Sequence, residues 1–278
     1  MDRGDLVRMR PHLPQPEVAS DERIEGLELQ VDEAQREADE RRIASMESEA
    51  ESGKRHWIFQ FLLGLPLEVY NPVRNRPVAT YALIAANVLV FIMQMLSPDL
   101  LIDRYALVPD AFIHGVAPWT ILTSMFMHGS ILHLLGNMYF LGVFGDNVED
   151  RLGVAEYLGL YLLGGIVAAL AHIASGLTST IPLVGASGAI SAVMGAYVYL
   201  FPDRRIYMMI FFALKRIRAI WYLGIWLVFQ ILWAASGVGG VAWWAHIGGF
   251  IIGAGMAYLH RAAIRRRLAA VEAPAGRV

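Results

Sequence analysis

The chain has 278 residues, 56% of them hydrophobic, with a mean hydropathy of +0.46; that exceeds the apolar content of an ordinary soluble domain and requires lipid for part of the molecule. The net charge of -2 hides an asymmetry, because residues 1–53 carry 15 acidic and 7 basic side chains, net -8, against +6 over the rest. No long basic patch interleaved with aromatics occurs, so nucleic acid is not an expected partner, and the absence of cysteine excludes disulfides, thiolate metal sites and a thiol nucleophile.

The first residues, MDRGDLVRMRPHLPQP, lack the apolar central region of a secretory signal and are expected to stay in the cytoplasm. Residues 1–53 read as an acidic cytoplasmic extension, helical or disordered. Ile24, Leu27, Val31 and Ala34 form a partial stripe that does not persist as a coiled coil. Its charge suits a cytoplasmic partner or regulator, and no motif assigns it a function. Residues 54–77 read as an interfacial segment, with Trp57, Phe59 and Phe61 beside Lys54 and Arg55.

Six apolar stretches follow, at about 78–96, 121–145, 155–175, 183–201, 219–236 and 241–260, each near the roughly 20 residues that cross a bilayer core. The expected architecture is all-α: a polytopic membrane protein whose six-helix domain spans 78–260, followed by a basic tail, 261–278. The second stretch opens on the polar MHGSILH and is expected to be part loop, part helix. The fourth opens on Pro182 and Gly185, so its helix should start below the membrane surface, where protein or water satisfies the backbone.

Cytoplasmic connections are enriched in Lys and Arg. Arg74 and Arg76, then Arg204, Arg205, Lys215, Arg216 and Arg218, then Arg261 and Arg265 to Arg267 mark alternate ends of the spans. The opposite ends carry Asp99, Asp103 and Asp110 and two uncharged turns. Both termini are therefore expected in the cytoplasm. Trp119, Trp233, Trp243 and Trp244 near outer ends and Trp221 near an inner one fit an interfacial aromatic belt.

Polar groups at membrane depth are costly and are functional candidates by default. The second, fourth and sixth spans run in the same direction, and each carries its polar residues early: His133 and Asn137, then Ser187, then His246. Ser187 sits in GASGA, where Gly185 and Gly188 leave room for a carbonyl, and backbone N–H groups at a helix start lack intrahelical partners. His246 supplies the base that a hydroxyl requires. Gly249 and Gly253 share its helical face and form a groove that allows close approach to the fourth helix. His133 and Asn137, four apart, project from one face as uncharged donors for an oxyanion. Taken singly, each has a plainer reading: a glycine-flanked helix cap for Ser187, a helix–helix hydrogen bond or proton relay for His246. A metal site combining His133 with His128, His114 or His172 has no acidic partner and no HExxH, so no metal or cofactor is expected. No carboxylate is placed to complete a triad, and a Ser-His dyad with modest rates is the expected chemistry.

Together HLLGN, GVFGDNVEDRLG, GASGA and AHIGGFIIG, in this order over roughly residues 78–260, resemble the rhomboid family of intramembrane serine proteases. The resemblance implies six helices around a water-accessible cavity, Ser187 as nucleophile and His246 as general base and acid. It implies oxyanion help from His133, Asn137 and the Ser187 backbone, and a fifth helix serving as lateral gate. The implied substrates are single-span membrane proteins cut at a small residue near the transmembrane segment and released outward from a bacterial plasma membrane, as in regulated intramembrane proteolysis. The loop from about Ser97 to Pro118 resembles the family's partly embedded first loop. Two positions depart. Thr120 follows Trp119 where many members have Arg, which removes that loop's usual anchor. Ser191 stands where an aromatic commonly packs against the histidine, so the imidazole needs another neighbour to orient it. The competing readings are an inactive rhomboid-like binder of transmembrane helices and a small transporter, which would normally display an inverted repeat.

Overall fold

The computed structural model describes residues 41, 66–69, 73, 75–210 and 213–272. The acidic extension, residue 41 apart, the aromatic stretch 54–65 and the tail beyond residue 272 lie outside the described residues.

The longest apolar runs fold as helices, since in lipid a helix satisfies its own backbone. The first is α1 (Val78–Leu96). Three short helices, α2 (Pro98–Tyr105), α3 (Pro109–Ile113) and α4 (Thr120–Thr123), and a 3-10 turn (Ser124–Phe126) then lead to α5 (Ile131–Leu152) and α6 (Val154–Ser175). After a loop come α7 (Ser187–Leu200), α8 (Ala219–Ser236) and α9 (Trp243–Glu272). The protein is thus a polytopic, predominantly helical membrane protein. Among the described residues α1, α6 and α8 are long and apolar enough to cross a bilayer by length and composition alone.

The 14-residue α7, about 21 Å long at 1.5 Å per residue, is too short to cross a bilayer core unaided. It is the hub instead: every residue from Gly188 to Tyr197 is buried. Two glycines of α9 make this possible. A Cβ on Gly249 would fall on the Gly188 carbonyl oxygen, and one on Gly253 on the Ala192 carbonyl oxygen, so backbone meets backbone without intervening side chains. The groove expected from these glycines is therefore the α7–α9 interface. On the other side of α7, the fully buried Phe144, Tyr157, Tyr161 and Tyr197 fill the core.

Two expected late helix starts have local causes, and two further elements depart from the expected ones. The second span forms a helix only from Ile131, because Ser130 caps its start by accepting the His133 backbone N–H at 3.1 Å. The fourth starts at Ser187, preceded by Gly185 at φ +132°, a conformation that L side chains rarely adopt. The sixth continues through the expected basic tail as far as Glu272. Finally, the basic connection between α7 and α8 is not a simple loop. It is a hairpin of β2 (Arg205–Ile210) and β3 (Ala213–Arg218), joined by β1 (Pro66–Val69) in an antiparallel sheet of order β1-β2-β3.

The acidic end of α5 has a structural task. Glu149, 3% exposed, accepts the backbone N–H groups of Ala79 and Thr80 at 2.8 and 2.7 Å and the Thr80 hydroxyl at 2.8 Å. It thereby caps α1 with a carboxylate where the helix dipole favours one. Next to it, the Asp150 carboxylate accepts the backbone and side-chain N–H groups of Asn75.

The connection between α1 and α5 is tied down despite Thr120. Leu107 and Leu183 exchange two backbone hydrogen bonds. The indole N–H of Trp119 donates to the Arg104 carbonyl at 3.3 Å and the Thr123 hydroxyl to the Tyr105 carbonyl at 2.8 Å. Thr120 itself is buried, its hydroxyl on the Ala117 carbonyl.

Candidate active site

The starts of α5, α7 and α9 meet around a cavity of about 710 Å³ lined by His133, Asn137, Ser187, His246, His172 and Trp226, among others. Residues separated by up to 113 positions are brought to one cavity.

Ser187 is the first residue of α7, so its backbone N–H and the next ones have no acceptor within the helix. Its Oγ lies 2.8 Å from His246 Nε2. The other ring nitrogen, Nδ1, lies 2.7 Å from Oε1 of Gln230 on α8. An amide oxygen only accepts, so Nδ1 carries the hydrogen and Nε2 is left to accept the Ser187 O–H. The ring is also flanked by two indoles: Trp226, centroid distance 6.0 Å and 34° between planes, and Trp243, 6.3 Å and 86°. Ser191 turns inward instead, its hydroxyl donating to the Ser187 carbonyl at 2.7 Å.

Gly185 separates the serine from His133. A Cβ at this position would lie 2.7 Å from His133 Cε1 and 3.7 Å from Ser187 Oγ, so only glycine leaves the two side chains facing a common space. A Cβ on Gly188 would meet that of Ala168 at 2.7 Å, which makes its role one of close packing against α6. Asn137, 7% exposed, leaves its side-chain Nδ2 without a hydrogen-bond partner at the cavity wall. An unpaired buried amide is costly, and here it belongs to a residue that lines the cavity.

His128 is fully buried with its ring edge-on to His133 at 5.2 Å between centroids. Its backbone is gripped by the buried Gln94 of α1, which accepts the His128 N–H at 3.1 Å and donates to its carbonyl at 2.7 Å. Among the described residues no group of three or more His, Cys, Asp or Glu is placed to hold a metal ion, and His114 sits apart on the Asp110 carbonyl.

Sequence reasoning singled out Ser187, His246, His133 and Asn137, and the structure gathers all four around one cavity. It did not single out Gln230, Gln94 or Trp226. For the two glutamines the signal was available, because a lone amide in an apolar span falls under the same rule that selected the histidines.

A helical membrane bundle enclosing a hydrogen-bonded serine and imidazole defines the class: the fold of an intramembrane protease family. A family model for the Rhomboid domain matches residues 116–263, and the chain belongs to the rhomboid family. Rhomboid protease GlpG of Salmonella newport (strain SL254) is 31% identical over 223 residues, covering 78% of this chain and 72% of that protein. Rhomboid protein 1, mitochondrial, of Saccharomyces cerevisiae is 29% identical over 184 residues, 62% of this chain and 50% of the relative. The human presenilin-associated rhomboid-like protein, mitochondrial, is 33% identical over 129 residues, 45% of this chain and 33% of the relative. The chain thus spans about half the length of the yeast relative it matches.

Proposed function

We propose that this chain is an intramembrane serine endopeptidase that hydrolyses a peptide bond of single-span transmembrane proteins. The observation that carries the reading is the 2.8 Å approach of Ser187 Oγ to His246 Nε2 inside a cavity of the membrane bundle.

In this mechanism Nε2 takes the Ser187 proton as Oγ bonds to the substrate carbonyl carbon. The oxyanion faces the backbone N–H groups at the start of α7 and the donors of Asn137 and His133, which are uncharged and so suited to a site where an ion is expensive to bury. Collapse breaks the C–N bond, and the leaving amine takes the proton from Nε2. Water then enters, loses a proton to Nε2 and bonds to the acyl carbon; the C–Oγ bond breaks, Oγ takes the proton back from Nε2 and the carboxyl fragment leaves.

The remaining assignments belong to the same reading. Residues 1–53 form a cytoplasmic extension that meets a cytoplasmic partner, 54–77 lie at the interface, 78–260 form the protease domain and 261–278 a basic tail. The distribution of Lys and Arg supports cytoplasmic termini and a cavity open toward the outer face of a bacterial plasma membrane.

Reconstituted protein and a reporter transmembrane substrate provide the test. Ser187→Ala and His246→Ala each abolish cleavage, and Ser187→Ala also abolishes labelling by a fluorophosphonate. Full cleavage by either variant would remove the dyad.

A further inference from the structure

Rhomboid-type chemistry is described with two residues, yet His246 here is held by a third element. Helix α8 buries only Ala219, Leu223 and Gln230; the first two are apolar packing, whereas Gln230 is an amide in an otherwise apolar stretch, 6% exposed. Its Oε1 is 2.7 Å from His246 Nδ1. One turn earlier on the same helix, Trp226 packs both on the His246 ring and on Phe250 of α9, at 6.0 Å in each case. The position one turn after the serine, Ser191, is engaged with the Ser187 carbonyl, and the ring neighbours of His246 are Trp226 and Trp243.

We infer that Gln230 is a positioning residue for the reaction: its carboxamide oxygen holds His246 in the Nδ1-protonated tautomer, with Trp226 backing the ring, so that Nε2 is the basic nitrogen presented to Ser187. The inference rests on the serine-protease reading of the same site. The chemistry explains the residue type. An aspartate in this place would fix the tautomer as it does in soluble triads, but an ionised carboxylate at membrane depth is expensive. A carboxamide supplies the same acceptor with no charge. Its reach also fits its origin on α8, because the bond crosses from one helix to the next. Without the acceptor both tautomers are populated, and the Nε2-protonated one cannot accept the serine proton.

Two measurements on the full chain in detergent or liposomes decide the matter. The first uses wild-type protein with 15N-labelled histidine. Gln230 as the positioning residue requires the His246 signals of an imidazole protonated on Nδ1 and bare on Nε2; the opposite tautomer, or a mixture, overturns it. The second uses Gln230→Met, which keeps length and bulk without the acceptor, and Gln230→Glu, which restores an acceptor at the same reach. Gln230→Met is expected to lower kcat roughly 10- to 100-fold, by analogy with the loss on removing the outer partner of a metal-ligating histidine. KM stays near the wild-type value, and the ring spectrum shifts to mixed tautomers. Gln230→Glu returns the Nδ1-protonated signature. Wild-type kcat and an unchanged ring spectrum in Gln230→Met overturn the assignment. The spectrum decides on Gln230 even if the wild type cuts nothing, an outcome that would sink the protease reading alone.

Discussion

The amide of Asn137 illustrates how a single residue is used at this site. Burial with Nδ2 unpartnered costs stability in the resting protein, and that cost is offset only when an acceptor enters the cavity. Asn137→Ala is therefore expected to slow turnover by roughly 10²- to 10³-fold, the loss typical of one oxyanion donor, while raising or preserving thermal stability. Paired kcat and melting measurements check this, and a variant both slow and strongly destabilised would point to a structural role. At this scale the sequence was highly informative. Ser187, His246, His133 and Asn137 stood out because polar side chains are rare in lipid. Gln230 was passed over because the search for an orienting group looked for a carboxylate, and lipid favours a neutral substitute.

At the scale of elements, the central contact is the face that α9 presents to α7. The carbonyls of Gly188 and Ala192 occupy the space that side chains at 249 and 253 would need, and backbone cannot swing aside as a flexible side chain can. Gly253→Val is expected to destabilise the bundle by at least about 1–3 kcal/mol, the usual cost of overpacking, and to separate the serine from its imidazole. Detergent-denaturation curves together with fluorophosphonate labelling check both effects. Helix positions were legible from apolar run lengths. The late starts of the second and fourth spans were legible from MHGSILH and from Pro182 and Gly185, whereas their exact first residues depend on capping by Ser130 and the backbone angle of Gly185. The three-stranded sheet was not legible. Its strands β1 and β2 are about 140 residues apart in sequence, and the basic residues of β2 and β3 read simply as a cytoplasmic connection. The GDNVED segment likewise signalled a family motif, but the carboxylate cap that Glu149 places on α1 depends on a pairing across 70 residues.

For the whole molecule, the absence of cysteine makes topology directly measurable. Single cysteines introduced at Gly239, beside the cavity, and at Arg216, an exposed position on β3, are expected to react with a membrane-impermeant maleimide from opposite faces of sealed vesicles. Labelling of both from one side would contradict the proposed orientation. The division of burial among the helices also bears on how a guest could reach the cavity. Helix α7 is enclosed from Gly188 to Tyr197, and α9 meets it backbone to backbone. By contrast α8 keeps three residues buried over its 18-residue length, and it faces lipid with Ile225, Val228, Phe229 and Leu232.

The same wall therefore combines the least buried of the three long apolar spans with the group inferred to set the imidazole. Lifting α8 aside to admit a helical guest would sacrifice little packing, but it would carry the Gln230 oxygen and the Trp226 ring away from His246. On the proposed protease reading, such a wall would act as an interlock: while the door stands ajar the trigger is disarmed, and hydrolysis waits until the wall has swung back behind its occupant.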